Sequence, residues 1–280
     1  MITHDMDLRR SRSMEIVRKA IEKGNGHTIL STGITGDDAR LAKAAVEAGA
    51  MMLEPNHPAL VLARGYRGIT VMHDAENVRH EIKVSQMAEV TRGVRAVVGD
   101  DIYITVGIPG SFTERQPVVL TDADMEMMAL AGANGIHTHK SSIEDLEDVV
   151  KLAHKYGLAI DAYIGLPTDR HIFGLPAETP EEVRHVAKQM EDVGTDMIGM
   201  MTGMSYEGVA AGQIPSSLKD RLCALVETVK VPTLGEGGIN LTNYKAFKET
   251  GVNILVIGTS IDKMVEKAAK DAIGSFLNEY

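Results

Sequence analysis

The residue types best suited to chemistry gather in one short segment of the sequence. Residues 136–140 read Ile-His-Thr-His-Lys, so two imidazoles and one amine fall within four positions. Alternate side chains of an extended strand share a face, which predicts that His137 and His139 point the same way. A His-x-His pair is a recurrent metal-binding arrangement, and a lysine at a strand end can serve as a nucleophile or a phosphate anchor. His137, His139 and Lys140 are therefore candidate site residues. The alternative is that they form only the polar end of a strand and have no role in a site.

Acidic residues near other predicted strand ends extend this candidate site. Asp161 interrupts an apolar run, and a buried carboxylate carries a large desolvation cost unless it is paired, hydrogen bonded or neutral. Its expected partner is Lys140 or a histidine of the neighbouring strand, and the alternative is a structural ion pair. Glu54 leaves another predicted strand and follows the same logic. Glu236 immediately precedes a glycine turn, where it would act as general acid or base, or would orient the turn by accepting backbone N–H groups.

Two glycine turns near the end of the sequence predict a phosphate-binding site. Residues 231–240 read Val-Pro-Thr-Leu-Gly-Glu-Gly-Gly-Ile-Asn, and residues 251–260 read Gly-Val-Asn-Ile-Leu-Val-Ile-Gly-Thr-Ser. Each segment reads as a strand followed by a turn, and the second turn opens a helix whose first N–H groups can bind an anion. Gly237, Gly238 and Gly258 leave no Cβ between the backbone and such a ligand.

A recurring sequence pattern divides the chain into alternating helices and strands. At residues 49–53, 132–136, 194–198 and 251–255 an amphipathic run ends at a glycine and an apolar run follows. A glycine in the left-handed conformation commonly ends a helix, so each copy of the pattern indicates the end of a helix and the start of a strand. The alternation implies right-handed βαβ units and a parallel sheet.

Eight strand candidates make an α/β fold, a (β/α)₈ barrel, the predicted architecture. They lie at residues 28–31, 51–54, 102–106, 135–137, 159–163, 196–200, 232–234 and 253–257. A doubly wound sheet usually has fewer strands and a G-x-G-x-x-G turn after the first, and that turn is missing from this sequence. A helix near residues 13–22 would cap the barrel floor. We expect one barrel domain over residues 1–280.

Two long loops and one methionine-rich strand add weaker candidates. The long segment between the second and third strands predicts an insertion at the upper face, where barrel chemistry occurs. Residues 165–178 hold Asp169, Arg170 and His171 and are a lid candidate or a plain surface loop. The methionines of residues 197–204 predict core packing, with Thr202 and Ser205 as residues that could face the site.

Composition limits the classes of partner. With 44% hydrophobic and 24% charged residues the chain is globular rather than disordered. Its net charge of -10 argues against sequence-independent binding to nucleic acid or an anionic membrane, but not against a phosphorylated small molecule. Cys223 is the only cysteine, which excludes an internal disulfide and fits a reducing cytoplasm. We expect neither a signal peptide nor a membrane span, and, as is common among barrels, a homo-oligomer.

Residues 231–261 resemble the last two βα units of the phosphate-binding (β/α)₈ barrels of the ribulose-phosphate-binding type. That superfamily includes indole-glycerol-phosphate synthase, N-acylmannosamine-6-phosphate epimerase, thiazole synthase and the barrel of quinolinate phosphoribosyltransferase. The resemblance covers about a ninth of the chain. It implies that a substrate phosphate is held by the backbone amides of Gly237, Gly238, Gly258, Thr259 and Ser260. The turn around Glu236 is similar to the acid-containing turn of the epimerase, which makes Glu236 a candidate catalyst. The lysine motifs of the epimerase and of indole-glycerol-phosphate synthase are not recognisable.

These features together predict an isomerase, epimerase or lyase that acts on a small phosphorylated sugar or acid. Asp161, Lys140 or His137 would move a proton next to a carbonyl while the phosphate is held opposite, and no cofactor is required.

Two alternatives stay open. One is a Mg²⁺-dependent barrel like phosphoenolpyruvate mutase and isocitrate lyase, although the acid pairs and cysteine-bearing loop of that group are not recognisable. Its metal ligands would come from Glu54, Asp74, Glu76 and Asp161. The other is a non-catalytic barrel that binds a phosphorylated metabolite as a sensor or assembly subunit.

Overall fold

The computed structural model describes residues 2–32, 36–70, 74–168, 173–203 and 209–277, which alternate between helices and parallel strands. The strands of these ranges are β1 Thr28–Ser31, β2 Met52–Leu53, β3 Tyr103–Phe112, β4 Gly135–His139, β5 Ala159–Gly165, β6 Leu175–Pro176, β7 Met197–Met201, β8 Thr233–Glu236 and β9 Ile254–Ile257. The α-helices are α1 Ile2–Lys23, α2 Ala39–Glu47, α3 His57–Ala63, α4 Val84–Val98, α5 Asp122–Leu130, α6 Ile143–Lys155, α7 Pro180–Asp192, α8 Ser216–Thr228, α9 Tyr244–Lys248 and α10 Thr259–Leu277.

Eight of these strands close into a barrel. Their order is β1, β2, β3, β4, β5, β7, β8 and β9, and β9 pairs again with β1. The short strand β6 adds only two residue pairs beside β5. All pairings are parallel, so the predicted α/β (β/α)₈ fold, a TIM barrel, is confirmed. The insertion after the second strand is also present, as α3 and two single-turn 3₁₀ helices, Asp74–Asn77 and Arg79–Glu81.

Strands β4 and β5 each end two residues later than the sequence predicts, and two other elements exceed their predicted length by more. Strand β3 continues to Phe112 with every residue buried, although the glycines and proline of residues 107–110 indicate an earlier end. Its register against β4 shifts between Gly107 and Phe112, which brings the phenyl ring over the barrel mouth. Helix α1 begins at Ile2 rather than near residue 13. Its first turns could not be predicted because they are polar and show no apolar period of the kind that reveals a helix.

The barrel interior and the N-terminal helix share one apolar cluster. Tyr103, Tyr163 and Leu234 point inward and are fully buried, and Val17 and Ala20 of α1 pack beneath them. Helix α1 therefore caps the floor, as predicted. A second, larger cluster fills the layer between the strands and the outer helices.

The predicted helix stops and caps have the expected geometry. Gly132 and Gly194 end their helices with φ angles of 96° and 94°, a conformation that favours glycine. At the start of α7 the Thr179 hydroxyl accepts the backbone N–H of Glu182 at 3.2 Å, and the Glu182 carboxylate accepts that of Thr179 at 3.0 Å. These local signals fix where each strand begins, and hence which side chains reach its carboxyl end.

The last helix departs from the usual barrel pattern. The described part of α10 contains no buried residue, and Phe276 and Leu277 are each 73% exposed. On the neighbouring strand β1, Ile29 points away from the barrel interior and is 45% exposed. A barrel normally covers its strands with an outer ring of helices, so this part of the ring is incomplete. Among the described helices, none has the length and apolar character needed to cross a membrane.

Candidate active site

The carboxyl ends of the barrel strands open into a cavity of about 320 Å³, a size suited to a small metabolite. The residues that line it include Thr32, Glu54, Asn56, Arg79, Phe112, His137, His139, Phe173, Glu236, Gly237, Gly238, Asn240, Gly258, Thr259, Ser260 and Lys263. Acidic, imidazole and glycine-turn residues from the ends of four strands, β2, β4, β8 and β9, therefore face one space.

A buried histidine–carboxylate pair lies under this cavity. His137 of β4 and Asp161 of β5 occupy facing positions in the strand register, which brings the imidazole Nδ1 within 2.6 Å of the Asp161 carboxylate. The other carboxylate oxygen accepts the hydroxyl of Thr105 on β3. Both side chains are almost completely buried. The pair of hydrogen bonds holds the ring of His137 so that its Nε2 faces the cavity.

The second histidine and Glu236 complete this face of the site. Strand alternation puts His139 beside His137, as predicted, and their Nε2 atoms are 2.6 Å apart. The carboxylate of Glu236, at the end of β8, is 3.9 Å from the Nε2 of His137. One donor atom from each residue lies within 4.8 Å of the others, so the group has the composition and spacing of a metal site.

Glu54 approaches His137 from the carboxyl end of β2. One of its carboxylate oxygens is 3.6 Å from the Nδ1 of His137, and the other accepts the side-chain amide of Asn56 at 2.9 Å. The oxygen of that same amide caps α3 by accepting the backbone N–H of Ala59 at 2.7 Å. The amide is thus fixed at both ends, and it fixes Glu54 at the cavity wall.

Burial and neighbouring charges shift the pKa values of Glu54, His137 and His139 in different directions. Burial raises the pKa of Glu54 well above its usual range, and the carboxylates of Glu236 and Asp161 raise it further, against the opposing effect of His137. Burial alone would lower the pKa of His137, but the carboxylates of Glu54, Asp161 and Glu236 raise it to about 10. Burial, followed by the charge of His137, lowers the pKa of His139 well below its usual range. Positive charge therefore concentrates on one imidazole within a group of carboxylates.

Aromatic rings hold the second imidazole in place. His139 stacks on Tyr163 with ring centroids 4.8 Å apart and an interplanar angle of 12°, and the ring centroid of Phe112 lies 4.6 Å from that of His139. The guanidinium of Arg79 sits 5.0 Å above the Phe112 ring and donates to the carbonyl of Thr113 at 2.9 Å. A buried cation is therefore part of the same wall.

The two glycine turns lie side by side at the opposite wall. Gly237 and Gly238 have φ angles of 103° and 62°, and a Cβ at Gly237 would overlap the carbonyl oxygen of Gly203. The hydroxyl of Thr202 lies 2.8 Å from the carbonyl oxygens of both Glu236 and Gly237, which braces the turn from behind. Strand β9 pairs with β8, so the turn at Gly258 and the start of α10 are neighbours of the first turn.

Most of the described residues that the sequence singled out line the cavity, but Asp161, Lys140, Asp74 and Thr202 do not. Asp161 lies behind His137, so its partner is a histidine and its place is a supporting one. Lys140 donates to the carbonyl of Phe112 at 3.1 Å outside the cavity, because alternation after His139 turns the next side chain to the other face. Burial lowers the pKa of Lys140. Asp74 accepts from Thr70 instead of joining Glu54.

A few candidates fall outside the described part of the structure. They are Asp169, Arg170, His171, Ser205 and the side chain of Glu76.

Sequence reasoning missed several cavity residues. Arg79 and Phe112 come from the insertion and from the unexpected extension of β3, which no periodic pattern identifies. The signal available for Arg79 was the length of the insertion itself. Asn56 lies two residues after Glu54 in an Asn-His-Pro helix start, so its capping role is readable but its contact with Glu54 is not.

Similarity to known structures supports the fold of the chain but does not identify its activity. No family model and no curated protein matches the sequence. The structure is similar to that of 2,3-dimethylmalate lyase, a member of the PEP mutase/isocitrate lyase superfamily, with 11% identity, a TM-score of 0.63, and coverage of 95% of this chain and 87% of that chain. Phosphonopyruvate hydrolase in complex with oxalate and Mg²⁺ gives 14% identity, a TM-score of 0.64 and the same coverages of 95% and 87%.

A third similar structure comes from the tryptophan synthase α₂β₂ complex of Pyrococcus furiosus, with 13% identity, a TM-score of 0.62, and coverage of 86% and 91%. At such identities the likeness establishes a shared (β/α)₈ barrel, and the chemistry has to be argued from the site.

Proposed function

We propose that the protein is an enzyme that moves a proton next to the carbonyl of a small phosphorylated acid, in a lyase or isomerase reaction. One observation carries the proposal: the two glycine turns and the buried acid–imidazole cluster line the same cavity. A remote anionic handle and a group able to exchange protons are what such a reaction requires, because binding energy from the handle positions the reacting carbon.

The glycine turns would hold the phosphate. Gly237 and Gly238 bring the backbone close to the cavity, and Thr259 and Ser260 form the first turn of a 19-residue helix whose positive dipole end faces the same space. Lys263, one turn further, also lines the cavity and adds a positive charge. These features support a phosphate at this wall.

The substrate's second anionic group would bind near Arg79. Its guanidinium lies against Phe112 beside the imidazole of His139, across the barrel mouth from the turn at Gly237. A planar guanidinium pairs well with a carboxylate, and this pairing favours a phosphorylated acid over a neutral sugar phosphate.

Glu54 is the proposed general base. It lines the cavity, is held by Asn56, and has one carboxylate oxygen with no hydrogen-bond partner among the described residues. His137 would stabilise the negative charge that develops on the carbonyl oxygen, and Asp161 would position His137 from behind. This assignment gives Glu54 the role that the sequence alone suggested for Asp161, Lys140 or His137.

The named activities of the similar structures favour one branch of the prediction. They are a lyase for 2,3-dimethylmalate and a hydrolase for phosphonopyruvate, both small acids. This favours a lyase reaction over the epimerase reaction that the C-terminal resemblance implied.

A metal-assisted form of the same reaction is the second candidate. It is favoured by the three donor atoms of His137, His139 and Glu236, which lie within 4.8 Å of one another. A divalent cation would supply Lewis-acid stabilisation of the developing oxyanion. Glu54 would remain the base in either form.

We also propose that the chain forms a homo-oligomer in which α10 of one copy covers the outer face of β1 in another. The support comes from two complementary gaps in one chain. Helix α10 buries none of its described residues, and Ile29 on β1 is left 45% exposed where a barrel normally has a helix. A two-fold arrangement would cover both surfaces at once.

Solvent hydrogen exchange tests the proposed reaction. Wild-type protein in D₂O should accelerate deuterium incorporation next to the carbonyl of phosphonopyruvate or phosphohydroxypyruvate, followed by NMR against an enzyme-free blank. Replacing the base, Glu54→Gln, should slow the exchange by roughly 100-fold or more. The matched control is Glu114→Gln, a buried carboxyl that accepts the backbone N–H of Gly110 outside the cavity, and it should exchange normally. Binding of both compounds without any exchange above the blank would instead indicate a non-catalytic barrel.

A further inference from the structure

We propose that His137, His139 and Glu236 bind a first-row transition-metal dication such as Zn²⁺ or Co²⁺, and not Mg²⁺. The proposal rests on the metal-assisted form of the function proposed above and names the kind of metal. It concerns metal binding by the free protein, so its test needs no substrate.

The donor atoms already point at one another. The Nε2 atoms of His137 and His139 are 2.6 Å apart, and a Glu236 oxygen lies 3.9 Å from the first of them. Two imidazole nitrogens bound to one tetrahedral ion at about 2.05 Å are separated by roughly 3.3 Å. An ion therefore fits after the two rings move apart by less than about 1 Å, which small side-chain rotations allow.

The surroundings of His137 are those of a metal ligand. Its Nδ1 is bound by Asp161 at 2.6 Å, and Asp161 is itself held by the hydroxyl of Thr105. A carboxylate on one ring nitrogen fixes the proton there and leaves the lone pair of the other nitrogen for the metal. The same carboxylate makes the imidazole a stronger ligand.

The site also contains polar atoms that lack partners. One oxygen of the fully buried Glu54 has no hydrogen-bond partner among the described residues. One carboxylate oxygen of Glu236 is also buried, and its interaction with the Tyr163 hydroxyl falls short of hydrogen-bond geometry. Buried oxygens without partners are rare in folded proteins and need an explanation. A dication between the imidazoles and Glu236 would satisfy the Glu236 oxygen and offset the negative charge nearby.

The donor set selects the kind of metal. Mg²⁺ prefers oxygen ligands in octahedral geometry, whereas two of the three donors here are imidazole nitrogens. Borderline dications such as Zn²⁺ and Co²⁺ take imidazole nitrogen readily, with one carboxylate beside it. The similar phosphonopyruvate hydrolase structure contains Mg²⁺, so this chain would differ from it in its metal. All three ligands line the cavity, which leaves the remaining coordination positions open to a substrate.

Metal titration of the full chain without an affinity tag tests the proposal. After treatment with a chelator, the protein should bind one Co²⁺ per chain with a visible absorption band, and Zn²⁺ should displace it while millimolar Mg²⁺ should not. His139→Ala and Glu236→Gln should each weaken Co²⁺ binding by roughly 100-fold, and Asp161→Asn by roughly 10-fold. His137 is left intact because its removal would bury the Asp161 charge without a partner.

The matched control is His185→Ala, an exposed histidine on α7, and it should bind Co²⁺ like the wild type. Thermal unfolding of each variant identifies any that has lost its fold. Displacement of Co²⁺ by Mg²⁺, or unchanged Co²⁺ affinity in folded His139→Ala and Glu236→Gln, would overturn the proposal. Because no substrate is present, these results are independent of the hydrogen-exchange test.

Discussion

Replacing one glycine of the first turn gives a sharp test of the phosphate site. Gly237 has a φ angle of 103°, and a Cβ there would overlap the carbonyl oxygen of Gly203. Alanine at such an angle costs about 1–2 kcal/mol of backbone energy, and the overlap forces the turn to move as well. Gly237→Ala should therefore displace the backbone of the turn that lines the cavity, and with it the N–H groups proposed to bind the phosphate.

The loss of binding can be estimated from the bonds at risk. A hydrogen bond to a charged group contributes about 1.5–3 kcal/mol, so losing one should weaken phosphate binding by roughly 10- to 150-fold. Isothermal titration calorimetry with phosphoenolpyruvate and with inorganic phosphate measures this change. Thermal unfolding measured in parallel reports the cost to stability.

Gly49 supplies the control for backbone strain. It has a φ angle of 106°, nearly that of Gly237, but a Cβ there would meet no atom within 4 Å. Gly49→Ala, which lies on the turn between α2 and β2, should lose about 1–2 kcal/mol of stability from backbone strain alone and keep the phosphate affinity of the wild type. Equal phosphate affinities for the two variants would refute the assignment of the turn.

The remaining predictions concern the oligomer and Lys140. Phe276→Ser on α10 should raise the dissociation constant of a two-fold dimer by roughly 1000-fold, because about 2 kcal/mol of apolar burial is lost in each copy. The control Leu130→Ser, also exposed but on α5, should leave the dissociation constant unchanged. Light scattering after size-exclusion chromatography distinguishes these results, and equal masses for both variants would count against the α10 interface. Lys140→Met should lose about 1 kcal/mol of stability with its hydrogen bond to Phe112 and keep its hydrogen-exchange rate within about 2-fold; a loss as large as that of Glu54→Gln would return Lys140 to the site.

The local signals of the sequence were enough to predict the barrel. Glycine stops such as Gly132 and the capping box of Thr179 act over a few residues, so they are readable without tertiary structure. The shared face of His137 and His139 follows from strand alternation alone. These features therefore agree with the structure almost residue by residue.

The contacts that depend on strand register and on irregular segments could not be predicted from the sequence. The pairing of His137 with Asp161 depends on how β4 and β5 align, and only the class of partner was predictable. The orientation of Lys140 depends on where β4 ends, to within one residue. Arg79 and Phe112 reach the cavity through an insertion and a register shift, whose paths depend on the packing of the whole barrel mouth.

The central claim is that one cavity combines a phosphate handle with proton transfer, and a matched pair of compounds tests it most directly. Deuterium incorporation from D₂O should be compared for phosphohydroxypyruvate and hydroxypyruvate, which differ only in the phosphate. We expect the wild-type protein to accelerate exchange of the phosphorylated compound by at least roughly 100-fold more than that of the other. Equal acceleration of both compounds, or exchange of neither above the enzyme-free rate, would contradict the claim.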